Sequence, residues 1–113
     1  MYYKFYYNKF SLKELILYIA AAQRHNRAIM TPNYSLYFDY NQGEDLTKEP
    51  LSIGEYLPVK KVYDYEPIDS KLTPEQGKYI LGAQANLWTE YIASPAHAQY
   101  MLLPRLAALA EVQ

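Results

Sequence analysis

Helix-start signals and short apolar runs alternate along this chain, and that alternation restricts it to parallel strands joined by helical crossovers. Ser11-Leu12-Lys13-Glu14 has the pattern of a capping box, in which the serine oxygen and the glutamate satisfy amide donors at a helix start. Leu12, Leu15, Ile16 and Ile19 follow at helical spacing as one apolar face, predicting a helix over residues 11–24. After the polar break His25-Asn26-Arg27, the run Ala28-Ile29-Met30 has the length of a buried strand and is stopped by Thr31-Pro32. Thr73-Pro74-Glu75-Gln76 opens another helix, with a threonine cap, proline at the first helical position and glutamine three residues after the cap. Gly82 stands where that helix should end or the next element begin. A second candidate strand lies within residues 80–88, interrupted by Gln84 and Asn86. Ser94-Pro95 repeats the cap-then-proline signal, and helix-prone sequence continues to the end with Leu102, Leu106 and Leu109 on one stripe. Pro104 should kink or divide that run, because it removes an amide donor and crowds the preceding turn.

Residues 33–69 show no sustained period and are punctuated by Pro50, Gly54, Pro58 and Pro67. They read as one long loop with short local structure, and loops of that length inside a domain are usually functional. Two candidate strands cannot close a barrel and would leave unpaired edges. Either the chain is a piece of something larger, or its first residues and a second copy complete the sheet. Those first residues carry Tyr2, Tyr3, Tyr6 and Tyr7 among lysines and asparagine, a poorly ordered or strand-like leader.

Composition removes several classes of function. The 113 residues are 50% hydrophobic, enough for a globular core. A net charge of −1 gives no field to draw the chain to nucleic acid or an anionic membrane. Leu15 to Ala22 is far shorter than the roughly 20 apolar residues that span a bilayer. Lys13 and Glu14 interrupt the only stretch resembling a signal peptide, so the compartment is left open. With no cysteine and with His25 and His97 outside any ligand motif, neither a metal nor another cofactor is expected.

Two clusters could carry chemistry, and each follows a candidate strand, where parallel α/β architectures place their sites. Tyr34-Ser35-Leu36-Tyr37-Phe38-Asp39-Tyr40 sets several rings around one carboxylate. Taken alone it fits a tyrosine-rich loop packing on its own domain. Asn86-Leu87-Trp88-Thr89-Glu90-Tyr91 holds the only tryptophan and an acid two residues away. An indole offers a flat apolar face to the C–H side of a pyranose and a carboxylate accepts its hydroxyl hydrogens, although a single tryptophan is more often core.

Ile29-Met30-Thr31-Pro32, Tyr37-Phe38-Asp39-Tyr40, Glu49-Pro50-Leu51 and Tyr65-Glu66-Pro67 occur in order with two longer segments. The longer ones are Leu81-Gly82-Ala83-Gln84-Ala85-Asn86-Leu87-Trp88-Thr89-Glu90-Tyr91 and Tyr100-Met101-Leu102-Leu103-Pro104-Arg105-Leu106-Ala107-Ala108-Leu109-Ala110-Glu111. Together they resemble bacterial family 20 glycoside hydrolases, the β-N-acetylhexosaminidases. The resemblance covers residues 19–113 and implies the last two strand-helix units of a (β/α)8 TIM barrel, after a divergent leader over residues 1–18. It also implies a substrate, a glycan ending in N-acetylglucosamine or N-acetylgalactosamine, cleaved with retention by the sugar's own acetamide oxygen. By resemblance, Tyr37 would hold the acetamide oxygen, Asp39 and Glu90 would accept ring hydroxyls, and Trp88 would line the terminal-sugar pocket. Relatives commonly work outside the cytoplasm.

The chain also departs from the family's pattern. That pattern includes an adjacent Asp-Glu pair, whose Glu is the general acid, and no Asp-Glu dipeptide occurs here; Glu44-Asp45 is the reverse order. Residues 2–18 lack the tryptophan of the corresponding family strand, as a truncated or disrupted reading frame would produce. The expectation is a partial hexosaminidase, inactive alone. A small carbohydrate-binding module and a structural chain self-associating through exposed barrel edges are the alternatives.

Overall fold

A computed structural model describes the backbone of Tyr3–Lys4 and of residues 12–15, and residues 16–113 in full. The order is β1 (Tyr3–Lys4), α1 (Leu12–Gln23), β2 (Ala28–Met30), α2 (Asn33–Leu36), α3 (Val59–Tyr63), α4 (Pro74–Gly77), β3 (Ile80–Ala83), α5 (Pro95–Leu102) and α6 (Arg105–Glu111). Two units divide these elements: one holds the described residues through Asn33 with Glu66–Gln84, the other Tyr34–Tyr65 with Ala85–Gln113.

In the first unit, β2 forms where the apolar run predicted it and pairs in parallel on both sides, in the order β1-β2-β3 among the described residues. The sheet therefore has one strand more than the two read from the apolar runs, the third coming from Tyr3–Lys4 in the leader. Pairs Ala28↔Ile80 and Met30↔Ala83 set the β2–β3 register, with one irregularity between them. The second strand occupies Ile80–Ala83 within residues 80–88, ending before Gln84, and Gly82 inside it adopts φ +137°. Only glycine takes that conformation without strain; Gly82 lies inside β3, and Lys78 is the C-cap of the preceding helix.

Helix α1 buries Tyr18, Ile19, Ala21 and Ala22, with Ala22 fully covered. Of the predicted face, Ile19 is buried as read and Ile16 is exposed, while Leu12, Leu15 and the Ser11 cap lie outside the described side chains. Its end is a Schellman arrangement, in which Asn26 N donates to Ala21 O at 2.9 Å and His25 N to Ala22 O at 3.0 Å. His25 stands at φ 60°, a position glycine usually takes, and its ring stacks on Tyr79 at 5.0 Å. Thr73 and Gln76 make the full reciprocal capping box, although α4 is a single turn.

In the second unit, the long loop carries α2, α3 and two isolated parallel bridges, Tyr37↔Asn86 and Asn41↔Tyr56. Ser94 caps α5 by accepting from His97 N, and Pro104 divides α5 from α6 as its missing amide requires. The buried stripe differs from the leucine stripe read in the sequence: Met101, Arg105 and Leu109 face inward, and Leu106 is exposed. They pack with Leu36, Phe38, Leu57 and Val62, all fully covered, and each such apolar side chain contributes about 1.5–3 kcal/mol.

Replacing Gly82 by alanine should destabilise the fold by about 1–2 kcal/mol, the cost of a side chain at positive φ. A urea unfolding curve reads this as a lower midpoint with unchanged slope. An unshifted midpoint would mean the backbone at position 82 relaxes freely.

Candidate functional site

All four residues singled out by the sequence lie in the second unit, and the Tyr37↔Asn86 bridge holds their two segments together. Asn86 N donates to Leu36 O at 2.8 Å, and Phe38 N donates to Asn86 O at 2.7 Å. This short parallel ladder sets the phenol of Tyr37 beside the indole of Trp88, with ring centroids 6.1 Å apart in an edge-to-face arrangement at 66°. Tyr40 supplies a second edge contact to Tyr37 at 5.8 Å.

The two rings differ in access. Tyr37 is only 4% exposed, whereas Trp88 is 42% exposed and is not the core residue that a lone tryptophan usually is. The indole therefore presents surface to an incoming molecule while its edge meets the buried phenol. Thr89, Glu90 and Tyr91, next along the chain, are exposed as well.

Asp39 is the buried acid of the group, 8% exposed, and its carboxyl accepts from the backbone amide of Trp88 and from its own amide. Oδ1 has no hydrogen-bond partner. Burial raises the Asp39 pKa above the ordinary 3.8, and the negative charge of Glu90 adds to the rise; the amides and the Arg105 guanidinium oppose it. Asp39 and Glu90 are thus near enough to feel each other, one covered and one in solvent. The arrangement can accept hydroxyl hydrogens beside a flat apolar face.

Sequence reasoning gave no role to Arg105, which was quoted only within a longer motif. It is fully buried, and each of its five N–H donors reaches a backbone carbonyl. Nη1 donates to Tyr40 O at 2.8 Å and Leu57 O at 3.0 Å; Nη2 donates to Phe38 O at 2.6 Å and Met101 O at 2.5 Å; Nε donates to Met101 O at 3.2 Å. Burial pulls its pKa down to about 10, which leaves it charged at neutral pH. The available signal was spacing, since Arg105 falls four residues after buried Met101 and four before buried Leu109.

Glu49 and Tyr100 were likewise quoted without a role, and they form a second tie. Tyr100 Oη donates to Glu49 Oε1 at 2.9 Å, and Glu49 Oε2 accepts from Gln42 N at 3.2 Å. The hydrogen bond to Glu49 holds the Tyr100 phenol in its neutral form and raises its pKa.

Comparison with known proteins gives one consistent picture. The model of glycosyl hydrolase family 20, catalytic domain, matches residues 12–113. A β-hexosaminidase of Porphyromonas gingivalis is 46% identical over 95 residues, covering 83% of this chain and 12% of that protein. A β-N-acetylhexosaminidase of Cellulomonas fimi is 34% identical over 96 residues, covering 84% and 19% respectively. The chain thus spans less than a fifth of these relatives' length. Among solved structures, the family 20 β-N-acetylhexosaminidase of Streptomyces coelicolor superposes with a TM-score of 0.74 at 30% identity, over 93% of this chain and 21% of that one. A Vibrio harveyi exo-β-N-acetylglucosaminidase in complex with N-acetylglucosamine gives 0.74 at 30%, over 91% and 16%. The strands and helices described above are those of part of a TIM barrel.

The raised Asp39 pKa has a definite sign for stability. The folded state binds the proton more tightly than the unfolded state, so stability is greatest below the ordinary aspartate value and falls as pH rises toward the folded value. Asp39→Asn should remove that fall, so its unfolding midpoint relative to wild type should improve between pH 3.5 and pH 7. Parallel midpoint curves for the two proteins across that range would show that Asp39 carries no such burden.

Proposed function

Because the chain belongs to glycosyl hydrolase family 20, we propose that residues 19–113 form the C-terminal portion of a β-N-acetylhexosaminidase barrel and supply the part of its site that grips the terminal sugar. The observation that carries this reading is the contact of Tyr37 with Trp88, joined to the hydrogen bond from the Trp88 amide to the Asp39 carboxyl. A phenol, an indole and two acids grouped around the Tyr37↔Asn86 bridge suit a hexose bearing an acetamide.

Each group then has a role fixed by its chemistry. The exposed indole of Trp88 covers the apolar face of the pyranose. Asp39 and Glu90 accept hydrogens from ring hydroxyls, and the unpartnered Oδ1 of Asp39 has capacity for one. Tyr37 donates its hydroxyl to the acetamide oxygen of N-acetylglucosamine or N-acetylgalactosamine. Fixing that oxygen against the anomeric carbon favours intramolecular attack, which forms the oxazolinium as the glycosidic C–O bond breaks.

Breaking that bond also requires a proton on the leaving oxygen, and these residues do not supply it. The sequence contains no adjacent Asp-Glu pair. Glu44-Asp45, the reverse order, is exposed, and Asp45 is engaged by Thr47 and by Lys48 at 3.0 Å. Hydrogen bonds from Thr47 and Lys48 hold the Asp45 carboxyl below its ordinary pKa, the wrong direction for a general acid. The 113 residues by themselves therefore bind and orient without cleaving.

Isothermal calorimetry with N-acetylglucosamine should give a saturable heat that Trp88→Ala weakens about fivefold or more. A chromogenic N-acetylglucosaminide should show no turnover above background with the same preparation. An absent heat in the wild-type chain, or one indifferent to Trp88→Ala, would defeat the sugar-site reading. Turnover abolished by Tyr37→Phe would defeat the claim of inactivity alone.

A further inference from the structure

The least expected group in the second unit is a guanidinium with no carboxylate bonded to it. Five N–H donors on Arg105 end on four backbone carbonyls, and two of those carbonyls, Phe38 and Tyr40, belong to the residues on either side of Asp39. The same guanidinium lies 5.0 Å from the Phe38 ring centroid. Its remaining partners, Leu57 and Met101, come from farther along the long loop and from α5, so one side chain on α6 fastens both of those segments to the backbone that presents Tyr37 and Asp39.

We infer that Arg105 is a positioning residue of the sugar site: by holding the carbonyls of Phe38 and Tyr40 it fixes the 38–39 peptide that precedes Asp39 and the 40–41 peptide one residue beyond it, and so aims the Asp39 carboxyl at its ligand. This deepens the reading above and rests on it. A buried apolar residue at position 105 would fill space but leave four carbonyls unsatisfied, and a lysine has three donors and no planar fork, so neither reproduces the arrangement. Nothing in core packing alone requires that carbonyls on both sides of Asp39 be held by a single rigid group. Among the described residues, Arg105 also opposes the negative charge of Glu90 on Asp39, and Asp39, Glu49 and Tyr100 act on Arg105 in turn.

The test uses Arg105→Lys in the full chain, with Leu109→Ala as a control on the same buried stripe of α6. Two readouts are taken: the affinity for N-acetylglucosamine, and the midpoint of the Asp39 carboxyl carbon titration by NMR. Positioning predicts that Arg105→Lys weakens binding about tenfold and moves the Asp39 midpoint, while Leu109→Ala lowers stability and leaves both unchanged. Equal effects of the two variants, or none from Arg105→Lys, would overturn it. Should Arg105→Lys fail to fold, wild-type protein gives the answer: the Arg105 Nη proton resonances should shift with the Asp39 titration midpoint, and indifference to that titration would overturn the inference. If wild type binds no N-acetylglucosamine, the sugar-site reading falls, but the Asp39 midpoint and the Nη shifts still decide whether Arg105 governs Asp39.

Discussion

One fully buried guanidinium organises the second unit. Removing a charged group from water costs on the order of several kcal/mol, and the cost is offset only when every donor finds an acceptor. Arg105 meets that condition with carbonyls rather than with an acid, its five N–H groups converging on Phe38, Tyr40, Leu57 and Met101. Each of those carbonyls is also a buried acceptor needing a donor, since an unsatisfied one costs about 1–3 kcal/mol. Guanidinium and loop are therefore mutually dependent. Remove either and the other is left with unpaired polar groups in a dry interior.

That dependence explains why a segment without regular secondary structure can present side chains in fixed places. Residues 37–41 have only isolated bridges for backbone pairing, and loops of this kind normally satisfy their carbonyls with water. Here Arg105 takes the place of water on the inner side, while the outer side keeps Trp88 and Glu90 in solvent. The site combines a rigid floor with an accessible rim, which suits recognition of a sugar by both its apolar face and its hydroxyls. Glu49, Tyr100 and Gln42 tie the following loop residues to α5 in the same manner, with side chains serving backbone and each other where no sheet is available.

Much of the fold was legible wherever local chemistry decides it. Strand β2, the Thr73–Gln76 box, the Ser94 cap and the division at Pro104 all follow from turn and capping rules acting over a few residues. On α6 the difference comes from equating buried with apolar. Leu106 was assigned inward and Arg105 ignored, yet the inward position is the one at which a fork of donors meets unsatisfied carbonyls. On α1, Ile19 is covered and Ile16 exposed, and Tyr18, Ala21 and Ala22 complete the covered face. Strand β3 lies where residues 80–88 predict one and stops at Ala83, just before the polar Gln84 that interrupts the apolar run. As for the site, neither cluster was specific by itself. Their adjacency depends on a parallel bridge spanning 49 positions of sequence, which no local pattern encodes, and only the family resemblance suggested it.

Because that bridge consists of one residue pair, its register is defined by very little ladder. Side chains alternate from residue to residue along an extended segment, so a slip by one would bring Phe38 opposite Asn86 in place of Tyr37. A hydroxyl-bearing ring would then be exchanged for one without any, and Tyr40 would stand where Asp39 had been. A displacement of about 3.3 Å along the chain would therefore take both the phenol and the carboxyl from their places beside Trp88.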